Sequence, residues 1–416
     1  MSRALALRGD NIIDLAGPST RRGEQMRAAP ARTGTLWFEG GRVVDGGSSA
    51  DAEVDASGLT VVPGFVDCHT HLPFFGWRGD EDLARLSGVR YQDIHGRSGG
   101  IFRSASMLAD ASDEEVLAFS TRLATEMLRH GTTTFETKSG YGLSVDAEMR
   151  QLRLGRSLAE RVPQCVVATC LAAHAVPAGM SEEEWTGIAA AELLPAAAAE
   201  GLCRAVDVYV ESIAFHLDHA ARLATAAEGL GLAMRIHADQ LSDGGAGSFA
   251  ASRHFRSADH LNHLSLDAVD DFAGSETAAV LLPGATFTLR QAEKPPAREL
   301  IDAGAIVALG TDLNPGTSPI HSLPFAMVLA CRLYGLDPLE ALIAATVNSA
   351  YVLGLEDEVG RLEPGMRADA VVLATANVED FVYRPDENFV AIVICGGAIV
   401  HVAPGFEGCV TTPPSP

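Results

Sequence analysis

The chain has 416 residues, 47% of them hydrophobic, a content that suits one barrel-sized domain with a smaller one attached. Its formal net charge of −23 opposes binding to nucleic acid or to an anionic membrane, which leaves a small molecule as the expected partner. No apolar run reaches the roughly 18 residues that span a bilayer, no signal core is present, and seven cysteines without a CxxC pair read as reduced thiols, so the cytoplasm is the expected compartment.

Residues 1–63 alternate short apolar runs with turn signals, and strands are expected at 4–7, 34–38, 41–44 and 59–62. From there strands and helices alternate. Eight candidate strands fall at 65–71, 132–138, 166–174, 206–211, 232–237, 257–260, 278–284 and 306–312. Helical periodicity marks 113–130, 146–160, 181–201, 217–229 and 337–353. Pro195 and the alanines after it read as the start of a helical turn. Eight such units predict an α/β fold, a TIM (β/α)8 barrel over residues 64–360, with its active site at the C-terminal strand ends. Short strands return at 368–373, 389–394 and 398–400. Residues 1–63 and 361–416 are therefore expected to share a small β-sandwich domain built from both chain ends.

The expected strand ends carry the reactive side chains: His69-Thr70-His71, Lys138, His174, Glu211, His237, His260 and Asp312. Imidazoles at i and i+2 on a strand point to one side. Neutral imidazoles with a carboxylate suit a borderline divalent ion such as zinc, and an open coordination position would hold a water acidified toward neutrality. Asp312 reads as a ligand, a general base, or both in one cycle. His260 reads as a ligand or as a hydrogen-bond donor to the developing oxyanion. Lys138 reads equally as loop-ordering or catalytic. The other histidines lack partners at telling spacing and read as structural or solvated.

The segments Pro63 to His71, Glu136-Thr137-Lys138-Ser139-Gly140-Tyr141-Gly142, Ala173 to Pro177, Ile236 to Asp243, Ser257 to Leu261 and Gly310 to Pro319 resemble the imidazolonepropionase family of the amidohydrolase superfamily. The resemblance covers nearly the whole barrel. It implies hydrolysis of the cyclic amide of 4-imidazolone-5-propanoate to N-formimino-L-glutamate in histidine degradation. It also implies one divalent metal ion, zinc or iron, held by His69, His71, His237 and Asp312, and a homodimer. Arg78, Tyr91, Tyr141 and His174 are the substrate-binding residues that it implies, with Arg78 suited to the propanoate by its planar fork. Asn314, Gly316 and Thr317 follow the strand-eight aspartate and are expected to touch substrate or order its loop. The glycine-rich Ser98-Gly99-Gly100-Ile101 resembles the family's covering loop. Gln240 stands among the catalytic candidates where some members carry glutamate, and its amide takes up no proton at neutral pH. Glu211 closes strand four, where binuclear relatives carry a bridging lysine. A related hydrolase or aminohydrolase acting on another heterocycle, a binding protein that kept the barrel without the chemistry, and a metal-stapled structural protein are the competing readings.

Overall fold

The computed structural model describes residues 4–47, 49–89, 94 and 99–412. Tyr91 and Ser98 lie outside the described residues. The first four strands, β1 (Leu5–Ile12), β2 (Arg32–Glu39), β3 (Arg42–Val44) and β4 (Ala52–Pro63), sit on the apolar runs of the N-terminal segment. Eight short strands follow: β5 (Phe65–Asp67), β6 (Thr132–Lys138), β7 (Cys165–Ala173), β8 (Ala205–Val210), β9 (Ala233–Ala238), β10 (Ser257–His260), β11 (Ala278–Leu281) and β12 (Ile306–Leu309). They pair in parallel, each with the next. The ring closes just beyond the strand ends, where Thr70 bridges Leu313 in parallel. There Asp312 N–H donates to His69 O at 2.9 Å, and His71 N–H to Leu313 O at 2.9 Å. This is the expected barrel.

The chain then returns through β13 (Ala370–Leu373), β14 (Val390–Cys395), β15 (Ala398–Val402) and β16 (Val410–Thr411). These join β1 to β4 in one hydrogen-bonded sheet, mostly antiparallel, with β1 and β4 parallel. Its apolar side chains form a core of their own, including Leu7, Ile12, Phe38, Val61 and Ile392. Apolar residues alternate with polar ones along β4, and the register shift after Gly9 of β1 returns Ile12 to the side of Leu7.

Local departures from expectation have physical causes. Strand one stops at Asp67 rather than 71, because His69 to His71 leave β6 and close the ring against the strand-eight extension. The helix expected over 181–201 runs as Glu182–Ile188, a π-helical turn at Ala189–Leu193, and Leu194–Ala199. Pro195 stands in the first turn of Leu194–Ala199, as expected, directly after the π-helical turn. It has no N–H and its ring crowds the carbonyl four residues back, which the wider turn relieves. The helix expected over 337–353 is two, Pro338–Ala344 and Val347–Val352, parted at Thr346 with φ −134° and ψ −85°. Helices Gly79–Leu86 and Ile101–Asp110, in the long connection after β5, were not expected from the sequence and bring Arg78 and Ile101 over the barrel mouth. No helix among the described residues is long and apolar enough to cross a membrane.

Candidate metal centre

Three imidazoles converge at the C-terminal end of the barrel. His71 Nε2 lies 3.3 Å from His69 Nε2 and 3.4 Å from His237 Nε2. Asp312 Oδ1 lies 3.3 Å from His71 Nε2 and 3.6 Å from His69 Nε2. Ligand atoms of His69, His71 and His237, and separately of His69, His260 and Asp312, lie within 4.8 Å of one another. The far side of two rings fixes their chemistry: His69 Nδ1–H donates to Asp259 Oδ2 at 2.5 Å, and His237 Nδ1–H to Asp207 Oδ1 at 3.1 Å. With Nδ1 protonated, each neutral ring presents a lone pair at Nε2. The lone pairs of His69 and His237 both face His71 Nε2, and a cation placed among the three nitrogens gathers them into one coordination set. The donor set fits a divalent ion.

Burial keeps His69, His71 and His260 neutral. It pushes His69 well below the usual imidazole range, helped by Lys138 and His237. His71 and His174 are lowered in the same way, and His260 falls to about 3. Burial raises the Asp312 carboxyl against the pull of His260 and His237. His260 and Asp312 both adopt positive φ, 80° and 55°, a strained backbone for side chains of this kind and one found where geometry serves a site.

Above the cluster lies a cavity of about 30 Å³. Arg78, Tyr141, His174, Gln240, Asn314 and Thr317 line it together with His71, His237, His260 and Asp312. A larger groove of about 380 Å³ lies between barrel and chain-end sheet, but its wall is mainly apolar and none of the converging donors faces it. The chemistry is in the smaller space. His174 Nδ1–H donates to Gly140 O at 3.1 Å, and its ring stacks on His71 with centroids 5.1 Å apart. The loop carrying Tyr141 is pinned by Glu148, which accepts from the N–H groups of Gly140, Gly142 and Leu143 at 2.7 to 2.9 Å. Gly140 has φ 110°, and a Cβ there would press on the His174 ring.

Arg78 is buried, its Nη1 donating to Ser104 Oγ at 3.0 Å and its Nε 3.3 Å from Glu81 Oε2. Gly316 lies beneath this guanidinium, where a Cβ would overlap it. Asn314 builds the loop: its Oδ1 accepts from the N–H groups of Gly316 and Thr317 and from the Thr317 hydroxyl, and its Nδ2 donates to Asp312 O at 2.7 Å. Glu211 lies apart from the cluster and accepts from the N–H groups of Leu241 and Ser242. Sequence reasoning missed Asp207, Asp259, Arg235 and Tyr209. Their signal was present, since Asp207 and Tyr209 alternate along β8, and Arg235 stands two residues before His237.

Comparison with known proteins identifies the family. The family model described as "Amidohydrolase family" matches residues 60–400. The imidazolonepropionase of Symbiobacterium thermophilum is 40% identical over 407 residues, covering 94% of this chain and 95% of that protein. That of Rubrobacter xylanophilus is 42% identical over 398 residues, covering 95% and 90%. Among solved structures, guanine deaminase of E. coli superposes with TM-score 0.70 at 18% identity, covering 96% of this chain and 99% of that one, which speaks to the fold alone. An adenosine deaminase from Xanthomonas campestris with bound zinc has TM-score 0.68 at 18% identity, covering 96% and 93%. This chain belongs to the amidohydrolase family and, within it, to the imidazolonepropionases.

Proposed function

We propose that this chain hydrolyses 4-imidazolone-5-propanoate to N-formimino-L-glutamate, with His69, His71, His237 and Asp312 holding one divalent ion, zinc or iron. The observation that carries the reading is the convergence of three Nε2 atoms and one carboxylate oxygen at the barrel mouth. When bound, such an ion acidifies a water and polarises the carbonyl under attack. Asp312, buried and with its carboxyl raised, takes the proton of the attacking water at the carboxylate oxygen not given to the metal and delivers it to the ring nitrogen that departs. His260, neutral at working pH, donates a ring N–H to the developing oxyanion. Arg78 receives the propanoate, and Tyr141, Tyr91 and His174 frame the ring. Gln240 offers an amide for hydrogen bonding and moves no proton. The Asn314 bonds favour a loop-ordering role for it and for Thr317, while Gly316 leaves room for Arg78. The cavity is small, so the loops around it must part on substrate entry.

Residues 1–63 with 361–416 form one unit in this reading, and residues 64–360 the catalytic barrel. The working assembly is a homodimer. Free cysteines suit the reducing cytoplasm. The test is turnover of purified protein on imidazolone propanoate beside other cyclic amides and aminated rings. The expected result is the highest kcat/KM on imidazolone propanoate with no ammonia released in the ring-opening step. Preference for an aminated ring would overturn the substrate assignment. Elemental analysis distinguishes zinc from iron, and light scattering reads the dimer.

A further inference from the structure

The barrel interior beneath the histidines is charged, and the hydrolytic reading does not use those charges. Barrels of this type are usually filled there by layers of branched apolar side chains. Here Glu136 and Lys138 on β6, Asp207 on β8, Arg235 on β9 and Asp259 on β10 are all buried. Within β6 the two charges are two residues apart, as are Arg235 and His237 within β9, so strand alternation turns each pair to the same side.

The contacts run without a break from one imidazole to the other. His237 Nδ1–H meets Asp207 Oδ1 at 3.1 Å, and Asp207 Oδ2 accepts from Lys138 Nζ at 2.7 Å. Lys138 Nζ lies 2.9 Å from Glu136 Oε2, and Glu136 Oε1 pairs with Arg235 Nη1. Arg235 Nη2 donates to Asp259 Oδ2 at 2.7 Å, and the same oxygen accepts from His69 Nδ1–H at 2.5 Å. Side bonds lock the chain: Arg235 Nη2 also donates to Cys68 O at 3.0 Å, its Nε to Ser257 Oγ at 2.9 Å, and Ser257 Oγ–H to Asp259 Oδ1 at 2.6 Å.

We propose that Lys138 and Arg235 are positioning residues that act through Asp207 and Asp259 to hold His237 and His69 with their Nε2 atoms aimed at the metal, and that Glu136 joins the two arms. This rests on His69 and His237 being metal ligands. A buried carboxylate without a cation to hold it is free to turn, and then no longer presents an oxygen to the imidazole Nδ1–H. Lys138 occupies one oxygen of Asp207, leaving the other for His237. Arg235 shares Asp259 Oδ2 with His69 while Ser257 holds Oδ1, and its fork also reaches Glu136 and the Cys68 carbonyl. A break anywhere in the chain frees a ring to take its other tautomer, which puts the proton on the ligating nitrogen.

The test is metal affinity, measured by zinc competition with a chelating dye on purified full-length protein, beside the visible spectrum of the cobalt-loaded protein. Wild type should bind one zinc per chain. Asp207→Asn, Lys138→Met and Glu136→Gln should each lower zinc affinity by about 10- to 100-fold and alter the cobalt ligand-field bands, while Lys138→Arg restores part of the loss. Glu136 touches neither histidine, so its effect reads the coupling itself. If Lys138→Met fails to fold, the isosteric Asp207→Asn and Glu136→Gln variants carry the test. Unchanged zinc affinity and cobalt bands in folded Asp207→Asn and Glu136→Gln, with metal lost in His237→Ala, would overturn the positioning role and leave the ligand assignment standing. Full zinc affinity in His237→Ala and His69→Ala would overturn the ligand assignment beneath it.

Discussion

In the chain-end sheet the buried face is Leu7, Ile12, Phe38, Val61 and Ile392, whereas the barrel interior under its mouth holds Glu136, Lys138, Asp207, Arg235 and Asp259. The first set is stabilised by removal of apolar area from water, at roughly 25 cal/mol per Å². That term has no direction, so many apolar sequences would serve the sheet. The second set gains little net stability, because desolvation of five charges offsets most of their mutual attraction. Its arrangement is directional: Lys138 bridges Asp207 and Glu136, and Arg235 bridges Glu136 and Asp259. Stability is general in one region, and geometry is specific in the other.

Breaking the barrel mouth should have the largest effect. His237→Ala, or prolonged chelation of the wild type, should take turnover to background, read by assay beside elemental analysis; full activity in a metal-free preparation would rule out the proposed chemistry. Phe38→Ala attacks the other region. It should cost about 3 to 5 kcal/mol of unfolding free energy by denaturant titration while KM stays at the wild-type value, and a changed KM would mean that the two regions are coupled. Arg78→Ala should raise KM, lowering kcat/KM by about 2 to 5 kcal/mol, as for a broken buried charge pair. Gly316→Ala should move KM in the same direction by a smaller step, with metal content held, because the new Cβ displaces the guanidinium rather than removing it.

A pH profile sharpens the contrast further. His260 is neutral in the folded chain down to about 3, whereas an unfolded imidazole titrates near 6.5. Its folded value lies below its unfolded one, so it costs nothing above pH ~6.5. Stability is lost as the pH falls from ~6.5 toward 3, by at most about 1.4 kcal/mol per pH unit. Metal-free His260→Gln lacks that proton uptake on unfolding, so its unfolding free energy should fall less steeply than that of the metal-free wild type. Parallel profiles would mean that His260 titrates normally when folded.

Much of this was legible in advance. The eight barrel strands, the helix at Leu217–Gly229 and the return of the chain end to the N-terminal strands follow from local apolar patterns. His69, His71, His237 and Asp312 stood out as chemistry-bearing residues at strand ends, and the structure brings them together. The helices Gly79–Leu86 and Ile101–Asp110 were not foreseen, since short helices that cap a barrel depend on what they pack against more than on their own periodicity. Lys138 was ambiguous because a lysine's partners cannot be read from its neighbours in sequence.

The sequence by itself determined the barrel, the chain-end strands and the kinds of ligand at the mouth, because strand alternation and side-chain chemistry are properties of a few consecutive residues. Only the tertiary structure decided which carboxylate orients which imidazole. Asp259 lies 190 residues from His69 and Asp207 lies 30 from His237, and no local pattern links them. The same holds for Gly316 beneath Arg78 and for the positive φ at His260 and Asp312. Each is fixed by ring closure and by burial, which bring distant segments within hydrogen-bond reach.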